Sequence, residues 1–166
     1  NSAALLTFPE SHFNMVRPGI SLYGVTPLGK PHDNLLPVMR MKAPITLIKE
    51  LNTGESVGYN RQYITKQTEK IAIIQAGYAD GIPMELSNRG EVEIEGTIYP
   101  IAGKISMDLL AICYKNMEIK IGQKAIFWGS ENLNLRLETL AAKYEKVPYE
   151  FLTGVTKRVK RNYIHE

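Results

Sequence analysis

Glu91-Val92-Glu93-Ile94-Glu95-Gly96-Thr97-Ile98-Tyr99-Pro100-Ile101 alternates charged and apolar side chains up to Glu95-Gly96 and resumes on the far side. Period-two alternation puts every second side chain on one face of a strand, and a glycine between two such runs supplies the turn. The stretch therefore predicts a β-hairpin over residues 91–101. The same period extends outward in both directions. Residues 43–51 alternate, residues 69–76 form an isoleucine-rich run suited to a buried strand, and residues 109–114 and 123–128 read as further strands. One helix is expected over residues 135–144, where Leu137, Leu140, Ala141 and Tyr144 share a face and Asn134 can cap the start. A second, short one is expected over 147–154, with Pro148 at its first position and Gly154 as its stop. The last strand is expected at 155–163. The whole pattern predicts a mainly β domain with one or two short helices.

Residues 1–33 differ in style. Residues 9–15 suggest a short helical or turn segment, and 15–24 a buried strand interrupted by Arg17-Pro18-Gly19. An arginine in an apolar strand must be paired or hydrogen-bonded, so Arg17 is either a satisfied structural cation or one directed at a ligand. Pro18 and Gly19 bend the chain and leave N–H groups free, a shape suited to an anion. Thr26-Pro27-Leu28-Gly29-Lys30-Pro31-His32-Asp33 has the composition of a linker, which places a boundary between a unit at 1–33 and a unit at 34–166.

The stretch Glu55-Ser56-Val57-Gly58-Tyr59-Asn60-Arg61-Gln62-Tyr63 sets a tyrosine between a glycine and an asparagine. Gly58 turns without a side-chain clash and Asn60 tolerates a left-handed turn, so Tyr59 is expected at a strand end or loop tip with its hydroxyl pointing away. It is either a hairpin anchor or a reacting group. As a base near neutrality it needs a cation, Arg61 or another, to favour the phenolate. Tyr78, in Gly77-Tyr78-Ala79-Asp80-Gly81, and the Lys104 to Asp108 turn stand at other strand ends, so together these read as one rim.

At 166 residues, 44% hydrophobic and 22% charged, the chain has the composition of a soluble globular protein and can bury about two-thirds of its unfolded surface. Apolar runs such as 71–74 fall far short of the roughly 20 residues of a membrane-spanning helix. The start lacks a methionine and a basic leader and reads as a cut end. Cys113 is alone, so no internal disulfide forms, and a reducing compartment is expected. A net charge of +3 does not point to nucleic acid. His12, His32 and His165 show no ligand spacing, and no metal is expected.

Asn1-Ser2-Ala3-Ala4, Met15-Val16-Arg17-Pro18-Gly19-Ile20-Ser21-Leu22-Tyr23-Gly24, Ser56-Val57-Gly58-Tyr59, Gly77-Tyr78-Ala79-Asp80-Gly81, Ser106-Met107-Asp108 and Pro148-Tyr149-Glu150 are similar, in order and spacing, to motifs of the alanine racemases. These are bacterial pyridoxal 5'-phosphate enzymes that supply D-alanine for peptidoglycan and the cell wall. The resemblance covers essentially the whole chain. It implies the last strands of a cofactor-binding (β/α)8 barrel at 1–33, followed by the family's C-terminal β domain at 34–166. The covalent cofactor lysine would lie outside this chain, so the chain alone is expected to be inactive. Carried over, Tyr59 resembles the catalytic tyrosine that works opposite that lysine in a two-base mechanism. Asn1, Ser2, Gly19, Ile20 and Tyr149 resemble the phosphate-holding elements, and Arg17 the arginine facing the pyridine nitrogen. Tyr78, Met107 and Asp108 resemble the substrate entrance, where Lys104 stands in place of a common arginine. A cytoplasmic homodimer acting on alanine is implied, because the family's tyrosine reaches into the other subunit's site.

Three other readings remain. A racemase of the same family acting on serine or another small amino acid differs in pocket volume, and the full-sized phenol of Tyr149 argues for alanine. A nucleic-acid module would use Lys157-Arg158-Val159-Lys160-Arg161, though alternation there more simply gives a strand with one solvated face. A non-catalytic β-barrel binding or dimerisation module is the third.

Overall fold

The structure is a computed structural model and describes residues 1–115 and 118–164; His165 lies outside the described residues. A short helix α1 (Ser2–Thr7) opens the chain, followed by single 3-10 turns at Pro9–Ser11 and Ile20–Tyr23. Strand β1 (Met41–Leu51) precedes a miniature pair, β2 (Ser56–Val57) and β3 (Tyr63–Ile64). Then come β4 (Glu69–Ile74), β5 (Glu91–Ile94), β6 (Thr97–Ala102), β7 (Leu110–Tyr114) and β8 (Lys124–Trp128). Helices α2 (Leu137–Lys143) and α3 (Pro148–Gly154) end the ordered elements.

Six strands close into an antiparallel barrel in the order β1-β4-β7-β6-β5-β8. Closure depends on the length of β1. Its first part, Met41 to Pro44, pairs with β8, and its second, from Ile45, pairs with β4, with a register shift between Ile45 and Leu47 where the strand bends. The hairpin over 91–101 forms as expected, Ile94 opposite Thr97 and Val92 opposite Tyr99, with Val92 and Ile94 turned into the core. Inside, Trp128 meets Phe151 edge-to-face at 5.7 Å, which docks α3 on the barrel. Leu137, Leu140, Ala141 and Tyr144 bury the expected face of α2, and the Tyr144 hydroxyl donates to the Arg89 carbonyl at 2.7 Å.

Several expectations are corrected. No strand forms over 15–24, nor anywhere in 1–33 among the described residues: the segment is helix and turn. Pro18 has no N–H to give a ladder, and these residues have no neighbouring strand to pair with. They instead leave Phe13 91% exposed and Met15, Val16, Leu22 and Tyr23 on the surface, while Ile20 and Val25 reach into the main core. No strand forms over 155–163 either. A closed barrel has no free edge to extend, and the Arg161 guanidinium donates to the carbonyls of Val155, Thr156 and Val159, which curls the segment on itself. Asn134 does not cap α2. That cap position falls to Arg136, and Asn132 caps the preceding 3-10 turn through Asn134 N–H at 3.0 Å.

Candidate functional site

Tyr59 sits at the tip of the miniature pair, where Val57 lies opposite Tyr63 and Ser56 opposite Ile64. Gly58 takes φ 75° and Asn60 takes φ 60°, both left-handed as the sequence suggests. A Cβ on Gly58 would lie 3.1 Å from the Lys104 nitrogen, and one on Gly103 would lie 2.7 Å from the Val57 carbonyl oxygen. Backbone thus lies directly on backbone, and the Tyr59 turn rides on the 103–104 turn. Its side chain is 68% exposed. Arg61 faces elsewhere: its guanidinium donates to the Gly54 carbonyl at 3.4 Å.

The 103–108 turn continues into a second contact. Tyr78 N–H donates to the Ser106 carbonyl at 3.0 Å and Ala79 N–H to the Met107 carbonyl at 3.1 Å. Any Cβ on Gly77 would strike Ser106 and Met107 backbone atoms within 2.4 Å, so only glycine permits this approach. Tyr78 and Met107 both leave their side chains exposed on this rim. Asp108 is differently occupied, since its carboxylate accepts from the Arg158 guanidinium at 2.5 Å, and Arg158 Nε also pairs with Asp80 at 3.0 Å. Thr156 Oγ1 donates to the Ala79 carbonyl at 2.7 Å and closes the same joint. Arg158 was legible in the sequence only as part of a basic run; its role comes from a partner 50 residues away.

A second cluster forms around Ser2. The hydroxyl is buried, 4% exposed, and its Oγ accepts from Gly19 N–H at 2.8 Å, from Ser21 N–H at 3.2 Å and from Ser21 Oγ at 3.0 Å. A Cβ on Gly19 would lie 2.7 Å from the Tyr149 hydroxyl. Ile20 begins a 3-10 turn, so its N–H has no partner within that turn. Ser2, Gly19, Ile20 and Tyr149 are therefore brought together, and Ser21 joins them although the sequence reading passed over it. Asn1 and Arg17 are neighbours in a shallow cleft with Ala4, Leu5, Ser11, Met15 and Val16. The Asn1 carboxamide caps α1 by accepting from Ala4 N–H at 3.0 Å. Arg17 is exposed rather than buried in a strand, and makes no hydrogen bond or ion pair among the described residues.

Helix α3 touches both clusters. Tyr149 near its start meets Gly19, and the Gly154 carbonyl at its end lies 2.4 Å from where a Cβ on Gly81 would stand. Its first turn is held by Lys146, which pairs with Glu85 at 3.0 Å and Glu150 at 3.1 Å; the hydrogen bond to Glu85 first, then that to Glu150, pushes the ammonium above its ordinary pKa. His12 bonds to the Leu5 carbonyl and His32 accepts from Asn34 N–H. Among the described residues no set of three or more His, Cys, Asp or Glu could hold a metal, and no helix is long and apolar enough to cross a membrane.

Comparison with known proteins adds the family context. Residues 38–163 match the family described as alanine racemase, C-terminal domain, and residues 1–27 match alanine racemase, N-terminal domain. An alanine racemase of Vesicomyosocius okutanii is 44% identical over 159 residues, covering 96% of this chain and 45% of that protein. The solved alanine racemase of Streptomyces coelicolor A3(2) superposes with a TM-score of 0.91 at 36% identity, over 100% of this chain and 45% of its own. The alanine racemase of Bartonella henselae, solved with covalently bound pyridoxal phosphate, superposes with a TM-score of 0.82 at 37% identity, over 90% of this chain and 42% of its own. The chain thus spans a little under half the length of these relatives.

Proposed function

Because this chain belongs to the alanine racemase family, we propose that the enzyme to which it contributes interconverts L- and D-alanine with pyridoxal 5'-phosphate. The observation that carries the reading is the Tyr59 turn. A phenol is held 68% exposed on a turn in which Gly58, Asn60 and Arg61 all take positive φ and which rests on the backbone of residues 103–104, where its hydroxyl can meet a reacting carbon. In this role Tyr59 Oη takes a proton from, or returns one to, one face of the α-carbon. A lysine in the portion of the family's chain outside this span serves the other face. Two bases on opposite faces are what inversion requires.

The residues present fit the cofactor. Its phosphate suits the hydroxyl and N–H cluster of Ser2, Gly19, Ile20, Ser21 and Tyr149, a cradle in which the missing Cβ of Gly19 makes room for the Tyr149 hydroxyl. Arg17, which makes no hydrogen bond or ion pair among the described residues, is available to the pyridine nitrogen, and Asn1 shares its cleft. When bound, pyridoxal phosphate supplies the electron sink that makes the α-proton removable. Tyr78 and Met107 line the substrate approach. Asp108 supports it through Arg158 rather than by direct contact.

So exposed a proton carrier needs a second surface to exclude water, and we assign that surface to a second copy of the enzyme, which makes the working unit a homodimer. The same reading places the boundary between the cofactor-binding unit and the β domain after residue 33. It also places the enzyme in the bacterial cytoplasm, supplying D-alanine for cell-wall precursors. The Tyr149 phenol beside Gly19 narrows the pocket toward alanine over serine. Chiral analysis of products from the full-length enzyme tests this. Faster turnover of L-alanine than of L-serine is expected; faster serine turnover, or none of either, would overturn it.

A further inference from the structure

Beneath the Tyr59 turn, three polar side chains meet on the outer side of β4 and β7. Glu69, the first residue of β4, is 8% exposed, and its Oε2 accepts from the Tyr63 hydroxyl at 2.5 Å and from the Cys113 thiol at 3.3 Å. Around them Val57, Ile71 and Ala111 are buried, with Leu51 and Ile73 packed against them. A carboxylate in such a place is costly unless it is bonded. The Tyr63 hydrogen bond, chief among the causes, holds Glu69 below the ordinary carboxylate range. Burial foremost, then the bonds to Cys113 and Glu69, pushes the Tyr63 phenol far above the ordinary phenol range, so it remains a donor and is not itself a base. Burial raises the Cys113 thiol as well.

The geometry connects this group to the tip. Tyr63 is the cross-strand partner of Val57, and Val57 is followed directly by Gly58 and Tyr59. Strands of two residues are too short to hold a turn by their own ladder. Thr65 Oγ1 fixes the far end of β3 to the Asn52 and Glu55 carbonyls; at the near end the Asn88 carboxamide donates to the Gln62 carbonyl at 3.1 Å, and Tyr63 is the side chain of β3 itself that anchors there.

We propose that Tyr63, Glu69 and Cys113 form a positioning unit for Tyr59, the buried carboxylate pinning β3 and thereby fixing where the Tyr59 hydroxyl stands. This rests on the proposed role of Tyr59. Tyr63 and Glu69 touch no reacting atom; they act through the turn.

The test uses the full-length enzyme with Tyr63→Phe, which keeps the ring and removes the donor. A lost hydrogen bond to a charged acceptor opens the turn by about ten- to a hundredfold, so amide hydrogen exchange across residues 57–61 should accelerate by that factor. The kcat for alanine should fall several-fold, because the Tyr59 hydroxyl is no longer fixed at one position, while KM stays within about twofold. Glu69→Gln keeps an acceptor for Tyr63 and should give an intermediate effect on both readouts; it also serves if Tyr63→Phe does not fold. Unchanged exchange in the variant that folds would overturn the proposal, as would faster exchange with unchanged kcat. If Tyr59→Phe alone leaves racemisation intact, the assignment of Tyr59 fails, and the positioning role with it; if Tyr59→Phe abolishes racemisation and Tyr63→Phe does not slow it, only the positioning role fails.

Discussion

Gly19 and Tyr149 meet so closely that a Cβ on Gly19 would lie 2.7 Å from the phenolic oxygen. The two residues come from opposite ends of the chain, and each has a place only because the other is the size it is. Gly19→Ala must push the phenol away; because that oxygen is the far end of an exposed side chain, the substitution costs little folding stability and acts by displacing the hydroxyl from the Ser2 cluster. The expected outcome is pyridoxal phosphate affinity weakened tenfold or more, read from the cofactor absorbance on titration of the full-length enzyme. Unchanged affinity would count against the cradle.

Arg158 joins the two loops that carry Tyr78 and Met107, through Asp80 and Asp108. Arg158→Ala should raise KM for alanine several-fold, with a smaller change in kcat and little change in Tm. Because this pair of bridges is solvent-accessible, the difference from the parent should shrink as salt is raised past the point where the Debye length approaches 3 Å, near 1 M. Identical kinetics at low salt would contradict the joint described above.

Glu69 titrates below its ordinary range, so its stabilising contribution is fully present above the unfolded carboxylate value, about 4.3, and is lost as pH falls through the lower folded value. Removing the Tyr63 donor raises that folded value. Acid unfolding of Tyr63→Phe should therefore begin at higher pH than that of the parent, by circular dichroism. Coincident acid transitions would show that the carboxylate gains nothing from Tyr63.

Phe151 is fully buried against Trp128 and ties α3, with Tyr149, to the barrel. Phe151→Ala should cost about 3–5 kcal/mol in chemical denaturation. Phe151→Leu should cost clearly less. Equal losses would mean that ring packing is not what docks α3.

What could be read from the sequence was local. The 91–101 hairpin carries its own turn and its own alternation, and Gly58 and Asn60 announce the backbone that lifts Tyr59. Barrel closure was not local, because β1 divides its pairing between β8 and β4 at a bend that alternation does not mark. Residues 155–163 alternate like a strand, yet they curl around Arg161, whose guanidinium donates to the carbonyls of Val155, Thr156 and Val159. Arg17 stands in an apolar run that reads as a buried strand, yet Met15 and Val16 beside it are exposed and Ile20 turns into the core, so the cation itself lies at the surface. The partners of Ser2, Arg158 and Glu69 lie 17, 50 and 44 residues away, in Gly19, Asp108 and Cys113, and no spacing rule links them.

The central claim is that the Tyr59 hydroxyl carries the α-proton, and it is tested most directly by racemisation of alanine in both directions by full-length Tyr59→Phe. Loss of a positioned acid–base group typically costs about 10²–10⁴ in rate, so a fall of that size is expected with cofactor still bound. Retention of the parent's rate in both directions would contradict the account.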